Sequence, residues 1–317
     1  MKTNLLLALL SAAAFAHEGP EHEIEELTER IKKHGESAEL LTERAAEYRV
    51  LGKLAEATKD LERAVMLDSE SVPTQRELGR VLLLGGKHDD ALLVVARALK
   101  LPAEDVVETA SLRILRAEIH FAKKDDKKAL EECDAGLKLH RQNPEWYLLR
   151  SEIQRRLKAH KERIAGLEEG IAQTGAGVLE IERVEAMMDA GKFADALKTI
   201  EAELADSRIK SSWLIRRARA FLGTGKKAEA ERDLNDALDE IAGRLNVKMP
   251  DGPLLLDKAL ALELLDEKRE ALKAYEAAKT AGASGTVDER IKALREATGE
   301  REPASSAEPK SENSESK

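Results

Sequence analysis

The chain has 317 residues, of which 42% are hydrophobic but only 3% aromatic, and 36% are charged, giving a formal net charge of −9. An excess of 61 Asp and Glu over 52 Lys and Arg argues against nucleic acid as the main ligand, because phosphate neutralisation needs a basic surface. A single cysteine, Cys133, excludes an intrachain disulfide.

Met1–Ala16 carries a lone Lys2 and an apolar run from Leu5 to Ala16 broken only by Ser11. It reads as a secretory leader ending in the small-x-small motif Ala14-Phe15-Ala16, with cleavage before His17. The run of 12 residues is short of the ~20 that a spanning helix needs. The protein is therefore expected to be exported (periplasmic or secreted), with no stable membrane insertion once the leader is removed. A retained anchor is the alternative. Residues 17–37 then give a His-containing acidic stub and a helix with Ile24, Leu27 and Ile31 on one face. That helix is expected to cover the open end of whatever follows. A mature chain starting at His17 could handle a metal through its amine and ring, but the spacing supplies no third ligand and no metal site is assigned.

From Ala38 to Leu101 the same pattern is written twice, 34 residues apart: Ala45, Gly52, Ala57, Leu61 and Ala64 recur as Gly79, Gly86, Ala91, Val95 and Ala98. Each unit reads as two amphipathic helices joined at a glycine, with small residues where helices must approach closely. The frame continues. The place of Ala57 passes to Ala91, Ala129, Arg163, Ala196, Ala230 and Ala271, and that of Ala64 to Ala98, Gly136, Gly170, Glu203, Ala237 and Ala278. Ala45 is followed by Gly79, Ala117, Ser151, Val184, Ala218 and Ala259. The turn residue Gly52 becomes Gly86, Lys124, Lys158, Gly191, Gly225 and Asp266. Arg163 and Glu203 break the small-residue rule, so packing in units four and five should depart from the rest.

Between units two and three, extra residues around Pro102–Thr109 should bulge without breaking the stack. Cys133 falls on the inward face of a second helix and reads as a small buried hydrophobe. Asn143-Pro144 opens unit four as cap and first helical residue. Gln173–Gly177 reads as a flexible joint with a change of curvature, and the insertion holding Met249–Pro253 as a seam or hinge. Thr286-Val287-Asp288-Glu289 is a capping box for a last helix with Ile291 and Leu294 on one side. From Glu300 the chain lacks large apolar residues and should be disordered. The expected organisation is thus a leader at 1–16, a stub and capping helix at 17–37, a repeat body at 38–282, a capping helix at 283–299 and a tail at 300–317.

This pattern resembles the tetratricopeptide repeat family, whose units are helix–turn–helix hairpins with small residues at the positions named. The resemblance implies an all-α, right-handed α-solenoid of about seven such repeats with flanking helices. It also implies a concave groove lined by the first helix of each pair, and binding of proteins or peptides without catalysis.

No enzyme motif competes with that reading. Gly282-Ala283-Ser284-Gly285 is only a fragment of a serine-hydrolase turn and follows no strand. His88, His120, His140 and His160 fall at turns or helix ends, as solvated residues or caps. Trp146 and Trp213 read as packing residues. No catalytic residue, cofactor or metal is assigned. Carried over from the family, the groove set is Arg49, Arg76, Arg80, Leu83, Glu118, Phe121, Glu152, Arg155, Arg156, Glu185, Met188, Arg219 and Leu222. Arg76 and Arg80 could hold an acidic tail or chain terminus, since arginine presents a planar fork to carboxylates. The competing reading has these arginines bridging neighbouring units to glutamates. The function expected is an exported, non-catalytic protein- or peptide-binding scaffold. The alternatives are an accessory subunit of an envelope enzyme complex and the metal-handling role at His17.

Overall fold

A computed structural model describes residues 19–102, 105–246, 248–283 and 286–300. Among these are sixteen α-helices and no strand. After α1 (Pro20–His34) come α2 (Ala38–Val50) and α3 (Leu54–Leu67), α4 (Val72–Leu84) and α5 (His88–Ala98), α6 (Val106–Ala122) and α7 (Asp126–Leu139), then α8 (Pro144–Arg156) and α9 (His160–Thr174). There follow α10 (Gly177–Asp189) and α11 (Phe193–Asp206), α12 (Ser211–Gly223) and α13 (Lys227–Arg244), α14 (Gly252–Leu264) and α15 (Lys268–Thr280), and last α16 (Val287–Thr298). They fall into two compact units, one ending at Ala186 and the other starting at Met187. The fold is the all-α solenoid class expected, built of helical hairpins.

The seven turn positions of the repeat frame all adopt the left-handed conformation, with φ between 57° and 79°. At each, the amide after the turn residue donates to the carbonyl five residues back, as Lys53 does to Tyr48 and Asp125 to His120. This is the Schellman closure of one helix directly onto the next. Three of the seven are not glycine: Lys124, Lys158 and Asp266. First helices begin differently, on capping side chains: Ser37, Ser71, Asp105, Asn143 and Asp251 each accept from a backbone amide two or three residues on. Most second helices start straight from the turn without one.

The small residues do the work the frame assigned to them. Ala45, Ala57, Ala64, Ala91, Ala129, Ala196, Ala230 and Ala271 are fully buried. At Gly170, an added Cβ would lie 2.7 Å from the Tyr147 ring and 2.9 Å from Leu179 Cδ1, so any larger residue would push α9 off its neighbours. In the first unit α2 packs on α4, α4 on α6 and α6 on α8; in the second, α12 packs on α14. Within each unit, among the described residues, second helices make no comparable contact with one another. The first helices therefore form the more closely spaced layer of each unit.

Several local expectations need correction. Arg163, placed where alanine was expected, is 2% exposed. It does not spoil the packing, because its guanidinium donates to Ser151 Oγ at 2.9 Å and to Glu182 at 2.6 Å, while the Ser151 hydroxyl donates to the same carboxylate. The expected joint at Gln173–Gly177 is a tight connection: Gly175 is left-handed and the Thr174 hydroxyl accepts from the Ala176 amide at 3.2 Å. No capping box forms at Thr286, whose side chain accepts no cap hydrogen bond and whose ψ of 3° departs from the extended backbone of a capping residue. Asn143-Pro144 caps α8 as expected. Trp146 and Trp213 are packing residues, both largely buried near the starts of α8 and α12. The leader, His17, Ser284 and residues 301–317 lie outside the described residues.

Candidate functional site

Arginine organises the first helices, in a way the sequence reading missed. The residue just before the small position is Arg44, Leu78, Arg116, Arg150, Arg183, Arg217 and Lys258 in successive units. Arg44 makes a bidentate pair with Asp60 at 2.7 and 2.8 Å, and Arg217 the same with Asp233 at 2.7 Å for both bonds. Arg116 reaches Glu132 at 2.6 Å. Arg150 donates to the Gly166 carbonyl at 2.9 Å and to Glu169 at 2.8 Å. Each clamp ties a first helix to the second helix of its own hairpin. Fork-to-carboxylate geometry and partial burial make such pairs stronger than surface ion pairs. The signal was present in the sequence: an arginine before the small residue, and an acid 16 residues later at Asp60, Glu132 and Asp233.

The residues expected to line the groove divide by what they already touch. Arg49 is taken by Glu77 of the next hairpin. Arg156 donates to Asp126 and to the Phe121 carbonyl, with its guanidinium 4.0 Å from the centre of the Phe121 ring. Arg155 holds Glu152 one turn back, at 2.6 and 2.7 Å. Arg49 and Arg156 thus bridge neighbouring hairpins, Arg155 pairs within its own helix, and Phe121 serves as a platform for Arg156. Leu83 packs against the core of the first unit. Glu185 is half-buried and engaged within the chain.

In the second unit, Met188 is 8% exposed and belongs to the core, not to a binding surface. The groove positions carried over from the family had put it on the open face. Arg219 is half-buried and engaged, and Leu222 is half-buried.

Arg76 and Arg80 stand apart. Both sit half-buried on α4, and neither has a hydrogen bond or ion pair among the described residues. Beside them on α6, Glu118 is also half-buried, and burial holds its carboxyl above the usual carboxylate range. Arg80 pulls in the opposite direction, and the charge of Glu145 adds to the rise. The arrangement offers two forked donors and one poorly solvated carboxylate, on first helices that touch each other.

Other chemistry finds little footing. Burial pushes the Cys133 thiol up to about 12, and its Sγ lies 3.5 Å from the Trp146 carbonyl. A reactive thiol needs the reverse setting. Among the described residues no group of three His, Cys, Asp or Glu is placed to hold a metal ion, and no helix is long and apolar enough to cross a membrane.

Comparison with known proteins fits this arrangement. The family model for the tetratricopeptide repeat matches residues 42–106, 77–144 and 182–244, together just over half of the chain. No curated protein sequence matches. Among solved structures, a tetratricopeptide repeat protein from Parabacteroides merdae aligns with a TM-score of 0.57 at 16% identity, over 81% of this chain and 98% of that one. The C-terminal part of a repeat protein from Cytophaga hutchinsonii aligns with a TM-score of 0.54 at 13% identity, over 79% and 99%. Yeast Tom70 aligns with a TM-score of 0.57 at 16% identity, over 88% of this chain and 59% of that one. At such identities the likeness speaks for fold alone. On its repeats, its left-handed turns and the family match together, the chain belongs to the tetratricopeptide repeat family, whose members are generally non-catalytic scaffolds that bind proteins or peptides.

Proposed function

We propose that this protein is an exported, non-catalytic scaffold that holds a protein or peptide segment against the first helices of its first unit. Arg76 and Arg80 carry the reading. In a layer where Arg49, Arg155 and Arg156 are committed to internal acids, these two keep their donors for something else. Half-buried guanidinium forks suit carboxylates, from acidic side chains or from a chain terminus. The test is capture from an envelope extract with the wild-type chain and with an Arg76→Glu/Arg80→Glu variant. Loss of specific partners in the variant is expected, and identical partner lists would remove the two arginines from the reading.

Export is the second part of the proposal. The short apolar run and the Ala14-Phe15-Ala16 motif support it. Mass measurement of the protein isolated from its native cell should give a first residue of His17. A chain that retains Met1–Ala16 would refute it.

A further inference from the structure

We infer that the first unit selects a segment carrying both signs of charge, with a basic residue about three positions from an acidic one. The inference rests on the peptide-binding reading above and names the second contact that such a ligand must make. That contact is Glu118.

Arg80 and Glu118 hold the same place in the repeat on successive first helices, α4 and α6, and those helices pack against each other. The same place is Glu152 on α8 and Glu185 on α10, so the sign of charge reverses after one hairpin. Glu152 is already bonded by Arg155, and Glu185 is engaged. Glu118 is half-buried with no hydrogen bond or ion pair among the described residues. A carboxylate with little water, felt by Arg80 but bonded to no internal cation, gains more from a ligand's cation than an exposed one would. The same group repels a wholly acidic ligand approaching Arg80. Glu145 and the chain's net charge of −9 add to that repulsion. A base in the ligand beside its acid removes the conflict. Packed helices lie about 8–10 Å apart and extended chain advances roughly 3.3 Å per residue, which sets the spacing at about three residues.

The test uses the full-length protein and fluorescein-labelled synthetic peptides with blocked ends. Two of them, Lys-Ala-Ala-Asp and Asp-Ala-Ala-Lys cores, cover both chain directions. A third replaces Lys with Gln, and a fourth puts Lys next to Asp. Fluorescence anisotropy at low and physiological salt gives the affinities. One of the spaced peptides should bind about tenfold more tightly than the Gln peptide and the adjacent-charge peptide, as a hydrogen bond to a charged group would give. Glu118→Gln should erase that advantage without weakening the Gln peptide. Arg76→Gln/Arg80→Gln should weaken all four. If the Gln peptide binds through the arginines as tightly as the spaced peptides, this inference fails while the carboxylate-binding reading stands. If no peptide binds, that reading fails and this one with it.

Discussion

Replacing Glu182 by Gln takes one charged partner from a buried guanidinium. Arg163 is 2% exposed, and its Nη2 lies 2.6 Å from Glu182, which itself is 27% exposed at the side chain. Breaking a buried ion pair by removing one partner costs about 3–5 kcal/mol, and the partial exposure of Glu182, together with the contacts that Arg163 keeps, Ser151 among them, places this case near the lower figure. Arg163→Met, by contrast, removes the charge that needs compensation. Glu182 then keeps the Ser151 hydroxyl and some water, so the loss should be about 1 kcal/mol or less. In the Arg163→Met background, Glu182→Gln should therefore cost almost nothing, and the coupling energy should reach about 2–3 kcal/mol. The protein supplies its own reporter. Trp146 lies in the same compact unit and Trp213 in the other, so a Trp213→Phe background isolates the first unit's fluorescence. At a urea m-value of 2–3 kcal/mol/M, Glu182→Gln should lower the midpoint by about 1 M. Equal costs for Glu182→Gln with Arg and with Met at 163 would show that the pair is not coupled and that the reasoning is wrong.

Three further outcomes follow from features already described. Lys158 holds a left-handed turn at φ 57°, so Lys158→Gly should stabilise by about 1 kcal/mol, whereas Gly86→Ala should cost about 1–2 kcal/mol, both read by thermal melts. Burial raises the Glu118 carboxyl above its unfolded value. The native protein thus binds that proton more firmly, and the stability it contributes at low pH is lost as pH rises through the folded pKa. Glu118→Gln should match wild type in acid and be increasingly the more stable protein toward neutral pH, by denaturant melts across that range. Cys133 should resist a disulfide-forming thiol reagent in the native state and react in denaturant, since burial pushes the thiol up to about 12; rapid native labelling would contradict its placement.

Turn positions and close contacts were legible because each imposes a severe demand on one residue. A left-handed turn favours glycine, and touching helices favour alanine, so both leave marks at a fixed period. Lys124, Lys158 and Asp266 would not be recognised as turn residues alone; the period assigns them. Polar pairing between hairpins left no such mark. Arg49 and Arg156 look no different in sequence from Arg76 and Arg80, because their acids lie 28 and 30 residues away on other elements. Which arginine finds an acid depends on how two helices face each other, and periodicity fixes only that they touch. Arg163 shows the same limit. A misfit by size turned out to be accommodated through Ser151 and Glu182, residues 12 positions before it and 19 after it. Met188 failed for a different reason, since a groove position carried over from the family need not stay open in every repeat.

The arginine clamps close over 16 residues and the turns over five. The hairpins that carry a clamp therefore complete it without waiting for distant chain. Sequence-local closure of this kind carries a small entropic toll and permits rapid folding. A polypeptide delivered end-first, from a ribosome or through a narrow channel, can lock hairpin after hairpin as it emerges, each new one settling on the surface left by the last.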